Sequence, residues 1–430
     1  MRIFLLLLFC LVKIQLIAEP LKVNTSAKSA ILMNAETGAI LYEKKSKERS
    51  YPSSLTKIAT CLYAVKNNKN SLDTLVFCSQ DCVHKMNKNV KIAHGYKDPA
   101  YFLEPDGTHY WMKKGEKISF KDLLYGMMLA SGNDAANTIA NYIGGNIPKF
   151  VDGMNIYLKK IGCEDTHFTN PHGLHHPNHS TTAYDIAVIT REALKDKLIR
   201  SIISTKEYER SETNLQGSKK IANRDLLIQP GKFFYPRAVG MKTGHTSDAG
   251  YPYAGVARDG DRILIAVLMG YENPHERFRD AIRIFETAFE EEKETRLLFN
   301  KDENTFSREI KQGRVPLQAT LAEDISISYY PAEEPQITIE LNWEHIAPPI
   351  RQGDCVGKIN ILDAQNRVLE SASLVASGDV ERCLAAFMGA AIQEGWSHPQ
   401  KLQRILILFL SFGILLTFYG IFRKKGKPKR

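Results

Sequence analysis

The chain has 430 residues, 43% of them hydrophobic and 24% charged, a balance that can bury a core and is too long for one ordinary domain. Its net charge of +9 is concentrated at the ends: residues 401–430 hold eight Lys or Arg and no acid, and residues 1–18 hold two, which leaves −1 for residues 19–400. A near-neutral body excludes a broad polyanion-binding face, so no nucleic-acid partner is expected.

In chain order, residues 1–18 carry Arg2 and then a ten-residue apolar run, 3–12, too short to span hydrocarbon as a helix. That is the form of a secretory signal, with a cut after Ala18. Residues 29–42 hold two β-rich runs around a turn at Ala35–Gly38, a hairpin signal. Tyr51-Pro52-Ser53-Ser54 precedes a helical run over 55–65. The polar stretch 80–117 is long for a connection and therefore functional or mobile. Helical periodicity runs through 119–144, strand-like segments occupy 238–243, 251–257 and 263–269, and a long helix lies near 277–292. Helices in the middle with strands at both ends predict an α+β domain over 27–295.

From about Phe306 the pattern changes to short strands such as 336–341 and 356–361, a small all-β domain over 306–385. A linker follows at 386–404. Residues 405–422 are eighteen without a charge, enough to cross a bilayer as a C-terminal transmembrane helix. The basic tail 423–430 would stay cytoplasmic, which makes the body extracytoplasmic. In an oxidising compartment Cys78 could bridge Cys82 and Cys355 could bridge Cys383, whereas Cys61 and Cys163 sit among apolar residues as small buried hydrophobes.

Three short signals carry chemistry. They are Ser54-Leu55-Thr56-Lys57 at a helix start, Ser131-Gly132-Asn133 between helical runs, and Lys242-Thr243-Gly244 in a strand. Each alone is common; in this order and these settings they are specific. Positions i and i+3 share a helix face, so Lys57 projects beside Ser54. A serine hydroxyl needs a base, and lysine becomes one when burial and a second cation lower its pKa. Lys242 is that cation. Ser131 would relay a proton to a leaving amine, and Asn133 would hold a substrate amide or Lys57. The strand of Lys242, Thr243 and Gly244 would align a peptide as an added edge strand, with Lys242 and Thr243 facing a terminal carboxylate. The backbone N–H groups of Ser54 and His245 are the expected oxyanion donors.

These residues resemble the active site of the penicillin-binding serine D,D-peptidase and β-lactamase superfamily, and more narrowly that of the low-molecular-mass D-alanyl-D-alanine carboxypeptidases. The resemblance covers about 27–385, including Asn34-Ala35-Glu36-Thr37-Gly38, Thr169-Asn170-Pro171-His172-Gly173-Leu174 and Gly240-Met241-Lys242-Thr243-Gly244-His245-Thr246. It implies the D,D-peptidase fold, an antiparallel sheet with a helical domain. It further implies Ser54 as acylated nucleophile, Lys57 as base, no cofactor, stem peptides ending in D-Ala-D-Ala as substrate and β-lactams as covalent inhibitors. Asp225 departs from the family pattern, which has Asn after the arginine; the 80–117 stretch is longer than usual; and the predicted anchor spans rather than lies on the membrane.

Competing readings are weaker. A β-lactamase would need a glutamate to activate the deacylating water, and no segment clearly supplies one. An endopeptidase or transpeptidase would share the site. A non-catalytic scaffold would have lost Ser54, Lys57 or Lys242. The dense histidines at 167, 172, 175, 176 and 179 lack a carboxylate or thiolate frame for zinc, so no metal site is expected there. Arg279 at the start of the last long helix is read as an exposed helix residue.

Overall fold

The computed structural model describes residues 11–14 and 19–383. The predicted transmembrane segment 405–422, the linker, the tail and most of the predicted signal lie outside those residues. Among the described residues no helix is long and apolar enough to cross a membrane.

The chain divides into two units, one holding the described residues 19–293 and 330–334, the other 11–14, 294–329 and 335–383. The first is built on a five-stranded antiparallel sheet in the order Ile40–Lys44, Ser29–Asn34, Arg262–Met269, Tyr253–Asp259, Ala238–Thr243. The opening hairpin turns because Asn34 Oδ1 accepts from the N–H groups of Glu36 (2.8 Å) and Thr37 (3.0 Å), an Asx turn closed by Gly38 at φ +80°. The central strands are apolar on both faces, so both need cover. Helix Ala183–Ala193 packs on one face and Glu276–Phe289 on the other.

The larger core lies on the first face, where helix Thr56–Asn67 sits at the centre of the helical layer and touches Phe120–Met128, Asn133–Gly144, Ile147–Lys160 and Ala183–Ala193. Eight of its twelve residues are buried, Lys57 among them. A helix surrounded in this way holds its first turn rigidly.

The periodic run 119–144 is two helices separated by residues 129–132, in keeping with the placing of Ser131-Gly132-Asn133 between helical runs. Ser119 Oγ accepts from Asp122 N at 3.0 Å and starts Phe120–Met128; the chain then breaks and restarts as Asn133–Gly144. Ser131 takes φ +63° at the break. A Cβ on Gly132 would come within 2.6 Å of Tyr110 Cβ, so the chain can pass there only without a side chain.

The second unit is a six-stranded sheet ordered Leu11–Ile14, Ile337–Trp343, Cys355–Leu362, Val368–Ala376, Leu317–Leu321, Thr305–Arg308, with a two-stranded pair Glu294–Phe299 and Ile325–Tyr329. Alternating burial, as in Leu317–Leu321 and Ile325–Tyr329, gives it a core of its own around Leu317, Val356, Ile359 and Leu374. All six cysteines among the described residues are free thiols, so neither expected bridge is formed; Cys355 is exposed and Cys78 and Cys82 are buried.

Candidate active site

Ser54 lies in a 3₁₀ turn, Ser53–Leu55, that feeds the central helix. Ser53 takes φ +50°, a strained conformation for serine that tips the turn into the cleft. Two contacts hold it there. Thr56 Oγ1 donates to Ser53 O at 2.9 Å, and Gly173, at φ +90°, passes so close beneath that a Cβ would fall 1.8 Å from Ser53 O.

The histidine-rich segment is scaffolding for this turn. His179 Nδ1 accepts from Thr169 N (3.0 Å), so its Nε2–H faces Thr56 Oγ1 (2.9 Å). Burial, then neighbouring histidines, drive its pKa down to about 3 and keep it neutral. His172 Nδ1 likewise accepts from Leu174 N, and its Nε2 lies 3.2 Å from Tyr101 O. Burial and the nearby Lys57 hold it well below the usual histidine range.

Lys57 is completely buried and its Nζ has three neighbours: Ser54 Oγ at 3.0 Å, Asn133 Oδ1 at 2.7 Å and His172 O at 2.7 Å. Burial first, then the positive charges of Lys242 and Arg224, lower its pKa well below the ordinary value, against Asp134. A neutral amine has two N–H bonds and one lone pair. The two carbonyl oxygens can only accept, so they take both hydrogens. The lone pair is left facing the Ser54 hydroxyl, and in that state Ser54 O–H donates to Nζ. The surroundings thus favour the base form and aim it.

A cavity of about 250 Å³ opens over Ser54. Of the eight residues predicted from sequence, Ser54, Ser131, Asn133, Thr243, Gly244 and His245 line it. Lys57 and Lys242 are buried beside it and act through their hydrogen bonds, Lys242 Nζ donating to Thr243 O at 3.0 Å. Burial, then Arg224 and Arg277, lower the Lys242 pKa to about 7. The strand Ala238–Thr243 is paired on one side only among the described residues, with Tyr253–Asp259.

Two cations were missed. Arg277 lines the cavity, buried to 9% exposure, and its Nη1 donates to Gly244 O at 2.8 Å while Nε has no partner. Arg224 lines it too, reaching Thr108 Oγ1 at 3.4 Å. The sequence reading takes Arg279 as an exposed helix residue and gives Arg277 no role. The signal was present: Arg277 precedes Ala281 by four and Ile284 by seven, the spacing of the buried face. Asp225 turns away from the cavity. It is buried, accepts from Tyr253 OH (3.0 Å) and Leu227 N (3.0 Å), and burial raises its pKa to about 6.

The long stretch 80–117 supplies a wall. Asp106, Gly107 and Thr108 line the cavity, and Asp134 ties the following segment to the helix that carries Asn133 by accepting from Tyr110 N (2.7 Å) and Met112 N (2.9 Å). Asn133 N donates to Thr108 O at 2.9 Å. A buried pair, Lys91 Nζ to Glu104 Oε1 at 3.1 Å, braces the interior of the stretch.

Residues 15–273 match the family model for peptidase family S11, D-alanyl-D-alanine carboxypeptidase. The chain is 31% identical over 362 residues to D-alanyl-D-alanine carboxypeptidase DacF of Bacillus subtilis, covering 83% of this chain and 86% of that protein. It is 30% identical over 360 residues to DacA of Haemophilus influenzae, covering 83% and 85%. Among solved structures, penicillin binding protein 6B from Escherichia coli superposes with a TM-score of 0.58 at 26% identity, covering 83% of this chain and 97% of that one. Penicillin binding protein 5 from Haemophilus influenzae gives 0.56 at 26%, covering 84% and 98%.

Proposed function

The chain belongs to the D-alanyl-D-alanine carboxypeptidase family of serine peptidases, and from that premise we propose how its own residues perform the reaction and where. It is a penicillin-binding serine D,D-carboxypeptidase that removes the terminal D-alanine of a peptidoglycan stem peptide. The observation that carries the residue assignment is the Lys57 amine, with both hydrogens engaged and its lone pair directed at Ser54 Oγ.

A peptide adds to the free edge of Ala238–Thr243 with its C-terminal carboxylate among Thr243, Arg224 and Arg277. Lys57 Nζ takes the Ser54 proton as Oγ bonds to the carbonyl carbon of the penultimate D-alanine. The oxyanion that forms is held by the N–H groups of Ser54 and His245. Proton return through Ser131 to the leaving nitrogen lets the C–N bond break and frees D-alanine. Water then gives its proton to Lys57, attacks the acyl carbon and restores Ser54. A β-lactam follows the first half of this course, but its leaving group stays tethered and the acyl-enzyme persists. A cluster of cations at the end of the cavity suits a chain terminus and disfavours internal bonds.

The same proposal puts the catalytic unit outside the cytoplasmic membrane, exported by the signal at 1–18 and held by the apolar segment 405–422 with its basic tail inside. Its substrate is found there. Ser54→Ala is expected to abolish both labelling by fluorescent penicillin and release of one D-alanine from a defined pentapeptide, with the circular dichroism of the fold retained. Labelling that survives in Ser54→Ala overturns the assignment. Deleting 401–430 is expected to release an active enzyme from membranes.

A further inference from the structure

The catalytic cavity is not the largest opening in its unit. A groove of about 760 Å³ begins where the cavity ends, and His245 and Thr246 line both. Ligand sites run to roughly 300–1,000 Å³. The cavity over Ser54 falls just short of that range, whereas the groove lies well inside it.

The sheet edge decides which part of a peptide enters the groove. Arg224 and Arg277 fix the C-terminal carboxylate in the cavity, and a guest pairing antiparallel to Ala238–Thr243 runs its preceding residues toward His245 and Thr246. A strand advances about 3.3 Å per residue. The residues just before the D-alanyl-D-alanine end therefore pass over Thr246 into the groove.

The groove walls carry both signs of charge. Arg49, on the segment just before the nucleophile turn, is paired with Asp165 at 3.2 Å, with both side chains exposed. Such a pair is weak and readily exchanged for a ligand carboxylate. Asp248, two residues beyond Thr246, accepts from Lys88 Nζ (2.7 Å) and Ser247 Oγ (3.1 Å), with His175 Nδ1 at 3.8 Å. Lys88 belongs to the long 80–117 stretch and also donates to Ser247 Oγ at 2.7 Å, so that stretch holds the loop that forms this end of the groove.

We infer that this groove is a second binding site, for the charged segment of a stem peptide that precedes its D-alanyl-D-alanine end. Arg49 receives a carboxylate of that segment, and Asp248 the side-chain ammonium of the residue next to the dipeptide. The inference rests on the D,D-peptidase reading above. It makes the enzyme a reader of whole stems rather than of a bare dipeptide end.

Steady-state kinetics on three substrates tests it: N-acetyl-D-alanyl-D-alanine, a stem pentapeptide with a free side-chain amine at its third residue, and the same pentapeptide with that amine acetylated. The wild type is expected to prefer the free-amine pentapeptide over the dipeptide by roughly tenfold or more in kcat/KM. Arg49→Glu should shrink that ratio severalfold. Asp248→Asn should erase discrimination between the free and acetylated amines. Labelling by fluorescent penicillin, which needs the cavity alone, checks that Ser54 stays reactive in each variant. A wild-type ratio near unity, or ratios unmoved by both variants, overturns the groove assignment while leaving the peptidase intact. Failure to label with penicillin or to cleave any of the three would overturn the peptidase reading itself, and the groove assignment with it.

Discussion

Asn133 Oδ1 lies 2.7 Å from Lys57 Nζ, closer than the 3.0 Å from the same nitrogen to Ser54 Oγ. A neutral acceptor at this point orients the amine without charging it. Asn133→Ala should slow acylation by penicillin roughly 10²-fold, a typical loss for a misdirected base. Asn133→Asp should be slower still at neutral pH, because a carboxylate there favours the protonated lysine. Its acid limb should move to higher pH, where Lys57 again gives up its proton. Rapid acylation by the Asp variant at pH near 7 would contradict the role given to Asn133.

The pH dependence follows from two lysines with opposite needs. Lys57 works without its proton, so kcat/KM should fall on the acid side as it is protonated. Lys242, buried behind Thr243, adds its charge to those of Arg224 and Arg277 while protonated, and with its pKa lowered to about 7 carboxylate binding weakens as pH rises above that value. The result is a bell, whose two apparent values belong to the interacting pair. Arginine keeps its charge across this range. In Lys242→Arg the descending limb should move up or vanish while the ascending limb remains. A wild-type profile flat between about pH 6 and 9 would refute this division of labour.

Gly173 is a steric requirement of the nucleophile turn. Alanine there would meet Ser53 O at 1.8 Å and would also occupy a left-handed conformation, φ +90°. The backbone conformation alone costs about 1–3 kcal/mol. Gly173→Ala should lower the melting temperature and slow penicillin acylation together, since the segment that yields carries Ser54. A melting point unchanged from wild type would show that the turn relaxes freely.

Arg210 Nη1 and Glu116 Oε1 stand 3.6 Å apart, both side chains almost wholly buried. Glu116 also accepts from Thr213 Oγ1 (2.7 Å) and Gln216 Nε2 (2.8 Å), joining the hairpin after Ser204 to the end of the long stretch. Removing one member strands the other's charge, at about 3–5 kcal/mol. Arg210→Met should therefore destabilise strongly in thermal melts, and the double variant Arg210→Met/Glu116→Leu should recover part of the loss. A double variant no more stable than the single one would argue against a stranded charge.

Ser54, Lys57 and the strand that carries Lys242 were legible because each lies in a short local pattern in a recognisable setting. The strand 238–243 appears with the predicted bounds, and the last long helix within a few residues of them. Less legible was whatever depends on a fold-wide accident of facing. The break at Ser131 and Gly132 was expected between two helical runs, but the close passage of Tyr110, which leaves no room for a Cβ at Gly132, was not. Arg277 looked like any charged residue on a charged helix until Gly244 O came within its reach. The histidines were read only as lacking a frame for zinc, yet His172 and His179 are buried struts that burial keeps neutral.

The register slip between Ala238 and Gly240 ends the regular pairing of the edge strand. Gly240 there, at φ +106°, presses against Ile203 O, where a Cβ would lie 2.3 Å away. An unpaired sheet margin invites adhesion by any extended polypeptide. Here that margin is cut to a few residues and bent at its start by the bulge. A short peptide tail can settle on it, whereas another protein's strand finds too little straight backbone to zip against.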